Sequence, residues 1–170
     1  MGDLREALRE HVRGRVCLVG IGNRDRGDDG LGVDLAEAMR VLGHADVIVA
    51  ERTPERWTEH LVRGGYQTVL FLDAVEMGTS PGSVVCLESH EVEARYPQVS
   101  THKISLGTLA RLIEANGSTR VLLLGVQPES VRAATELSAA VETTLAILRN
   151  LLAEVLPVKP TAFAVCGEQP

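Results

Sequence analysis

Two consecutive carboxylates, Asp28 and Asp29, close a glycine-rich segment that follows an apolar run, Val16-Cys-Leu-Val-Gly-Ile-Gly22. Strand, glycine turn and helix entrance in that order are the layout of a phosphate-binding loop. A phosphate loop, however, places a lysine and a hydroxyl after its last glycine. Here Gly22 and Gly27 have the spacing but the two aspartates follow, and paired negative charge repels phosphate and attracts cations. The dinucleotide fingerprint fails as well, because its third glycine would fall at Asp25. Two further residues could join such chemistry. Asp73 ends a continuous apolar run, Thr68 to Leu72, and His102 lies in the polar stretch Ser100-Thr-His-Lys103. Each has an ordinary alternative: Asp28 or Asp29 as a helix cap, Asp73 as a turn residue, His102 as a surface histidine. Two aspartates in a row exceed what a cap requires. Two carboxylates and an imidazole meeting at one sheet edge would suit a divalent transition metal and leave coordination positions open.

The elements that must carry these residues alternate. Apolar runs at Val16–Val19, Val47–Ala50, Thr68–Leu72 and Arg120–Gly125 predict buried strands. Between them lie helical patterns: one from Asp29 through Leu31, Leu35 and Met39 to Gly43, one opened by Thr53-Pro54-Glu55 and ending at Arg63, and one from Ile104 to Ala115. Ser83–Leu87 follows Thr68–Leu72 without a helix between and reads as an antiparallel neighbour. Glu88 to Thr101 reads as a polar, irregular connection. The last helix carries Leu137, Val141, Leu145, Leu148, Leu152 and Val155 on one stripe and is stopped by Pro157. The expected fold is therefore a single three-layer α/β domain, a mostly parallel twisted sheet of about five strands with helices on both faces. The domain spans 16–157, preceded by a charged helix or arm over 1–15 and followed by a tail over 158–170. In such open sheets ligands bind beyond the carboxyl ends of the strands, where Asn23–Asp29, Asp73 and the stretch with His102 would all arrive.

Composition excludes several classes. The 170 residues carry a formal charge of −6, with 3% aromatic residues. Negative charge opposes phosphate backbones and anionic lipid, and few rings leave little for stacking bases. Neither nucleic acid nor membrane is an expected partner. Cys17, Cys86 and Cys166 form no C-x-x-C pair and suit a reducing cytoplasm. Met1 to Arg15 lacks the apolar core of a secretory signal. Serine hydrolysis has no G-x-S-x-G elbow, and the H-E-x-x-H helix of zinc proteases is absent.

Set side by side, Gly20-Ile-Gly-Asn-Arg-Asp-Arg-Gly-Asp-Asp-Gly-Leu-Gly32, Leu72-Asp-Ala-Val75 with Gly78 and Pro81-Gly82, and Ser100-Thr-His102 with Leu106 resemble the hydrogenase maturation protease family. Gly125-Val-Gln-Pro-Glu-Ser130 followed by Leu137-Ser138 is similar to that family's next landmark. The resemblance implies an endopeptidase that removes a C-terminal extension from the NiFe hydrogenase large-subunit precursor after nickel insertion. It puts the family's metal-contacting acid, aspartate and histidine on Asp29, Asp73 and His102. Some members carry glutamate where this chain has the shorter Asp29. The nickel is expected to come with the precursor, with other divalent metals able to occupy the site. Gly22, Asn23 and Gly27 belong to the loop expected to hold the peptide, and Asp28 is a candidate water-positioning base. The protein is expected to act in the cytoplasm as a monomer. Two other functions fit parts of the pattern: a non-proteolytic nickel chaperone or assembly factor using the same ligands, and a flavin- or nucleotide-binding module. The acid pair opposes the latter.

Overall fold

The structure is a computed structural model that describes residues 2–44, 46–95, 105–115 and 117–156. Five strands form one sheet in the order β2-β1-β3-β5-β4: β1 Val16–Ile21, β2 Val47–Glu51, β3 Thr68–Ala74, β4 Val84–Glu88 and β5 Arg120–Val126. The first three and β5 run parallel, whereas β4 pairs antiparallel with β5 at the edge. The single sheet, its mostly parallel sense and the antiparallel Val84–Glu88 agree with the expectation from sequence.

The strands read as unbroken apolar runs because both faces are covered, and their side chains alternate between two cores. Cys17, Val19 and Ile21 of β1, Val69 and Phe71 of β3, and Val121 and Leu123 of β5 pack on one face. That core is completed by Leu61 of α3 (Thr58–Arg63), Val92 of α4 (Ser89–Arg95) and Leu109 and Ile113 of α5 (Leu106–Glu114). Leu18, Leu70, Leu72, Leu122 and Leu124 point the other way, against Leu35 and Met39 of α2 (Leu31–Val41) and Leu148 and Leu152 of α6 (Ala139–Val155).

One local reading is narrowed and two change. The N-terminal segment is a helix, α1 (Gly2–His11), seated on the second core: Leu8 is 0% exposed, and Arg5 and Arg9 both pair with Glu154 of α6. Its heavy charge hides a narrow apolar stripe of Leu4, Leu8 and Val12. Ser89–Arg95 is helical rather than irregular; of its described side chains only Ser89 and Val92 are buried, too little to register as a period. Both helix starts at the site edge pass through a turn of 3-10 helix, Gly27–Gly30 before α2 and Pro54–Trp57 before α3. Thr53 does not cap the second of these with its side chain, which donates to the Ala50 carbonyl instead.

Candidate active site

The sheet order reverses around β1 and β3: β2 lies outside β1, while β5 and β4 lie outside β3. The crevice beyond the carboxyl ends of β1 and β3 is thus the switch point at which open α/β sheets bind ligands. Gly22 and Gly32 let the chain close over it. Gly22 has φ 129°, and a Cβ there would lie 1.8 Å from the Asp29 carbonyl oxygen. A Cβ on Gly32 would lie 2.1 Å from the Leu72 oxygen and 2.4 Å from that of Ile21. The first turn of α2 therefore sits directly on the two strand ends, and the turn carrying Asp29 is held against β3. Asn23 donates its N–H to the Asp29 carbonyl (3.1 Å), and Asp29 donates its own to Arg26 (3.3 Å).

Asp73 stands at the end of β3, opposite Gly125 of β5, and is 4% exposed. Strand alternation places it on the same face as Val69 and Phe71, the face covered by α5. Burial, and then the negative charge of Asp29, push its carboxyl well above the ordinary carboxylate range; the Ala74 N–H opposes this only in part. The structure thus brings Asp29 and Asp73 together as two acids whose charges repel in a buried setting. Such a pair binds a proton or a metal cation more readily than it stays doubly ionised. α5 covers this face and leads into β5, and the Ser105 hydroxyl at its start accepts from the Thr108 N–H (3.2 Å). His102, three residues before that cap, lies outside the described residues, as do Ser100 and Cys166. Among the described residues, no group of three or more His, Cys, Asp and Glu side chains could hold a metal ion. The acid pair would need a third donor from elsewhere.

The contacts of Asp28 are not those of a helix cap. Its side chain caps neither its own 3-10 turn nor α2. It reaches across to the segment between β5 and α6. One oxygen, Oδ2, accepts from the N–H of Glu129 (2.7 Å), the N–H of Ser130 (3.2 Å) and the Ser138 hydroxyl (2.9 Å); Oδ1 accepts from the Ser138 N–H (2.7 Å). Burial to 1% exposure would raise its pKa, but these four donors outweigh it and hold the carboxyl below the ordinary range. A carboxylate so engaged, with depressed basicity, is poorly placed to take a proton from water. Asp28 is a clamp between two loops, and the backbone reinforces it: Gly27 donates to Ala134 (2.7 Å), Asp28 to Ser130 (3.2 Å) and Ala134 to Asp25 (3.2 Å).

Of the three loop residues singled out in the sequence, Gly22 and Asn23 line a cleft of about 290 Å³ with Arg24, Asp25, Val33 and Glu51. Gly27 faces the clamp, where a Cβ would lie 3.3 Å from the Ser130 oxygen. The cleft rim is irregular. The pairing of β1 with β2 slips between Gly20 and Ile21, and Glu51 has the left-handed φ of 51° while its carbonyl accepts from Gly22 (3.0 Å). Bulges and strained residues of this kind gather beside active sites. Gln127, which no local pattern singles out beyond its motif, is 4% exposed and bonds the loop that follows Asp73.

Comparison with known proteins agrees with the motif resemblance. The model of the HycI hydrogenase maturation protease family matches residues 32–154, a span that holds Asp73, His102 and the Gly125–Ser138 landmark but starts just after Asp29. Among solved structures, a NiFe hydrogenase maturation protease HycI from Thermococcus kodakarensis is 28% identical, with a TM-score of 0.77 over 88% of this chain and 98% of that one. A hydrogenase 2 maturation peptidase from a Thaumarchaeota archaeon is also 28% identical, with a TM-score of 0.58 over 86% and 100%. The hydrogenase maturating endopeptidase HybD from E. coli, 22% identical with a TM-score of 0.69 over 84% and 92%, shares the fold. No curated protein sequence matches the chain. An α/β domain with its acids at the switch point and a family match over most of its length leads to one assignment: the chain belongs to the hydrogenase maturation proteases, and is a peptide-bond hydrolase.

Proposed function

We propose that this endopeptidase removes the C-terminal extension of a nickel-loaded NiFe hydrogenase large-subunit precursor, and that Asp29, Asp73 and His102 recognise the nickel the precursor carries. The observation that supports this reading is the buried Asp73 beside Asp29. Without a cation the pair is electrostatically frustrated, and a divalent ion relieves both the desolvation and the repulsion. With two oxygen donors from the protein and an imidazole from His102, the ion keeps positions for donors of the precursor. A nickel-empty precursor offers the acid pair no cation and docks poorly, which makes cleavage conditional on metal insertion. The metal is part of the substrate in this scheme. Other divalent transition ions would occupy the same donors in its absence, and the enzyme works in the cytoplasm as a monomer. The cleft lined by Gly22, Asn23, Asp25 and Glu51 takes the extended chain on one side of the scissile bond.

The test is the mass of the precursor after incubation with the protein, with and without nickel. Loss of a C-terminal peptide only from the nickel-loaded form, abolished by Asp73→Asn and by His102→Ala, is the expected result. Binding without loss of mass would establish the chaperone alternative instead. Equal cleavage by wild type and both variants would remove the three residues from the reaction.

A further inference from the structure

The motif Gly125-Val-Gln-Pro-Glu-Ser130 with Leu137-Ser138 contributes none of the nickel donors, yet it touches both acid-bearing loops. From one end, Asp28 binds Glu129, Ser130 and Ser138, which holds the turn of Asp29. From the other, Gln127 holds the chain that leaves Asp73. Its side-chain oxygen accepts from the N–H of Met77 (2.7 Å) and of Thr79 (3.3 Å). Its amide nitrogen donates to Glu76 Oε1 (2.9 Å) and to the Pro128 carbonyl (3.0 Å). Those four bonds use the full capacity of the amide. Its backbone donates to Ser83 (2.8 Å) and accepts from Gly82 (2.9 Å), tying in the β3–β4 connection too. Glu76, only three residues beyond Asp73, is itself fixed by the Gly78 N–H on the same oxygen (3.1 Å).

We propose that Gln127 is a positioning residue of the reaction, which with Asp28 references the loops of Asp73 and Asp29 to one segment, 127–138, and so sets the spacing of the two acids. The claim rests on the function proposed above. A metal contact tolerates errors of only a fraction of an ångström, so such donors need support from bonded neighbours behind them. Gln127→Glu keeps the shape and still accepts from Met77 and Thr79. Its second oxygen, however, faces Glu76 and the Pro128 carbonyl, two acceptors against an anion. Adding Glu76→Gln gives up the exposed Gly78 N–H bond but restores a donor opposite that oxygen and removes the charge repulsion, leaving only the Pro128 carbonyl against it, so the paired substitution separates misplacement from loss of fold.

Wild type, Gln127→Glu and Gln127→Glu/Glu76→Gln are compared in two ways. One is single-turnover cleavage of nickel-loaded precursor at several enzyme concentrations; the other is the visible absorption spectrum of the protein titrated with Co²⁺ alone. Gln127→Glu is expected to lower the saturated rate at least about 10-fold, with the half-saturating concentration within about 3-fold. Its Co²⁺ bands are expected to shift, and the double variant to recover rate and spectrum to within about 3-fold and to the wild-type positions. Wild-type behaviour of Gln127→Glu, a loss of rate that only tracks the unfolded fraction in urea, or no recovery in the double variant would each overturn the proposal. If wild type itself fails to cleave, the proteolytic reading falls and the Co²⁺ spectra alone decide: shifted and recovered bands uphold the positioning role, and unchanged bands or absent binding overturn it.

Discussion

Replacing Asp28 by Asn keeps the volume of the clamp and removes its charge. With the new amide oxygen in the Oδ2 position, it still accepts from Glu129, Ser130 and the Ser138 hydroxyl. The amide nitrogen then faces the Ser138 N–H, donor against donor, where the carboxylate accepted at 2.7 Å. Hydrogen bonds to a charged group contribute roughly 1.5–3 kcal/mol and neutral ones about 0.5–1.5, so each surviving bond loses about 1 kcal/mol. The lost fourth bond costs roughly 1–3 kcal/mol more. The bonds share one group and the loop can relax towards water, so the total falls below the sum, at about 3–4 kcal/mol. For a chain of this length that lowers Tm by roughly 10 °C. Urea unfolding followed by circular dichroism measures it, with the m-value unchanged. The acid dependence gives a second reading of the same group. Because the folded carboxyl titrates below its ordinary value of 3.8, its contribution is complete above that pH and disappears as the pH falls through the folded value. Wild type and Asp28→Asn should therefore converge in stability below about pH 4. A loss under about 1 kcal/mol at pH 7 together with abolished cleavage would refute the clamp and return Asp28 to the chemistry.

Other substitutions probe the remaining contacts. Asp73→Asn should raise Tm at pH 7 by at least about 2 °C while cleavage is lost. The raised carboxyl pKa means that folding is penalised as pH rises through the folded value, and Asn removes that penalty; an unchanged or lower Tm would contradict a buried, repelled acid. Gly32→Ala drives a methyl into the carbonyls of Leu72 and Ile21, so α2 must lift from the sheet at a cost of about 3 kcal/mol or more, seen as a Tm fall of at least about 6 °C. Leu8→Ala should cost about 2–4 kcal/mol in urea unfolding, because α1 is part of the core; a loss near zero would make it a detachable arm.

Much of the fold was legible because burial on two faces writes itself into consecutive apolar residues, as in Val69 to Leu72, and Asp73 breaks such a run where the strand ends. Asp29 could be placed at the same edge from the glycines that precede it. What stayed hidden depends on partners far away in the chain. The donors to Asp28 lie 101 to 110 residues on, and no local pattern marks an aspartate that will bind Ser138 rather than cap its own helix. Gln127 likewise meets Met77 only after β3 and β5 pair. In Ser89–Arg95 the cause is different: among the described side chains of this short helix only Ser89 and Val92 are buried, too few to show a period.

The distance in sequence between Asp28 and its donors also fixes an order in time. A ribosome makes the Asp29 turn early, whereas Ser138 emerges 110 residues after Asp28. At about 5–20 residues per second that is a delay of roughly 5–20 s. Throughout it the acid turn lacks its anchor to the Glu129–Ser138 segment. The clamp closes only after Ser138 has been translated, so shorter nascent chains carry Asp28 and Asp73 without the contact that ties their two loops to one segment.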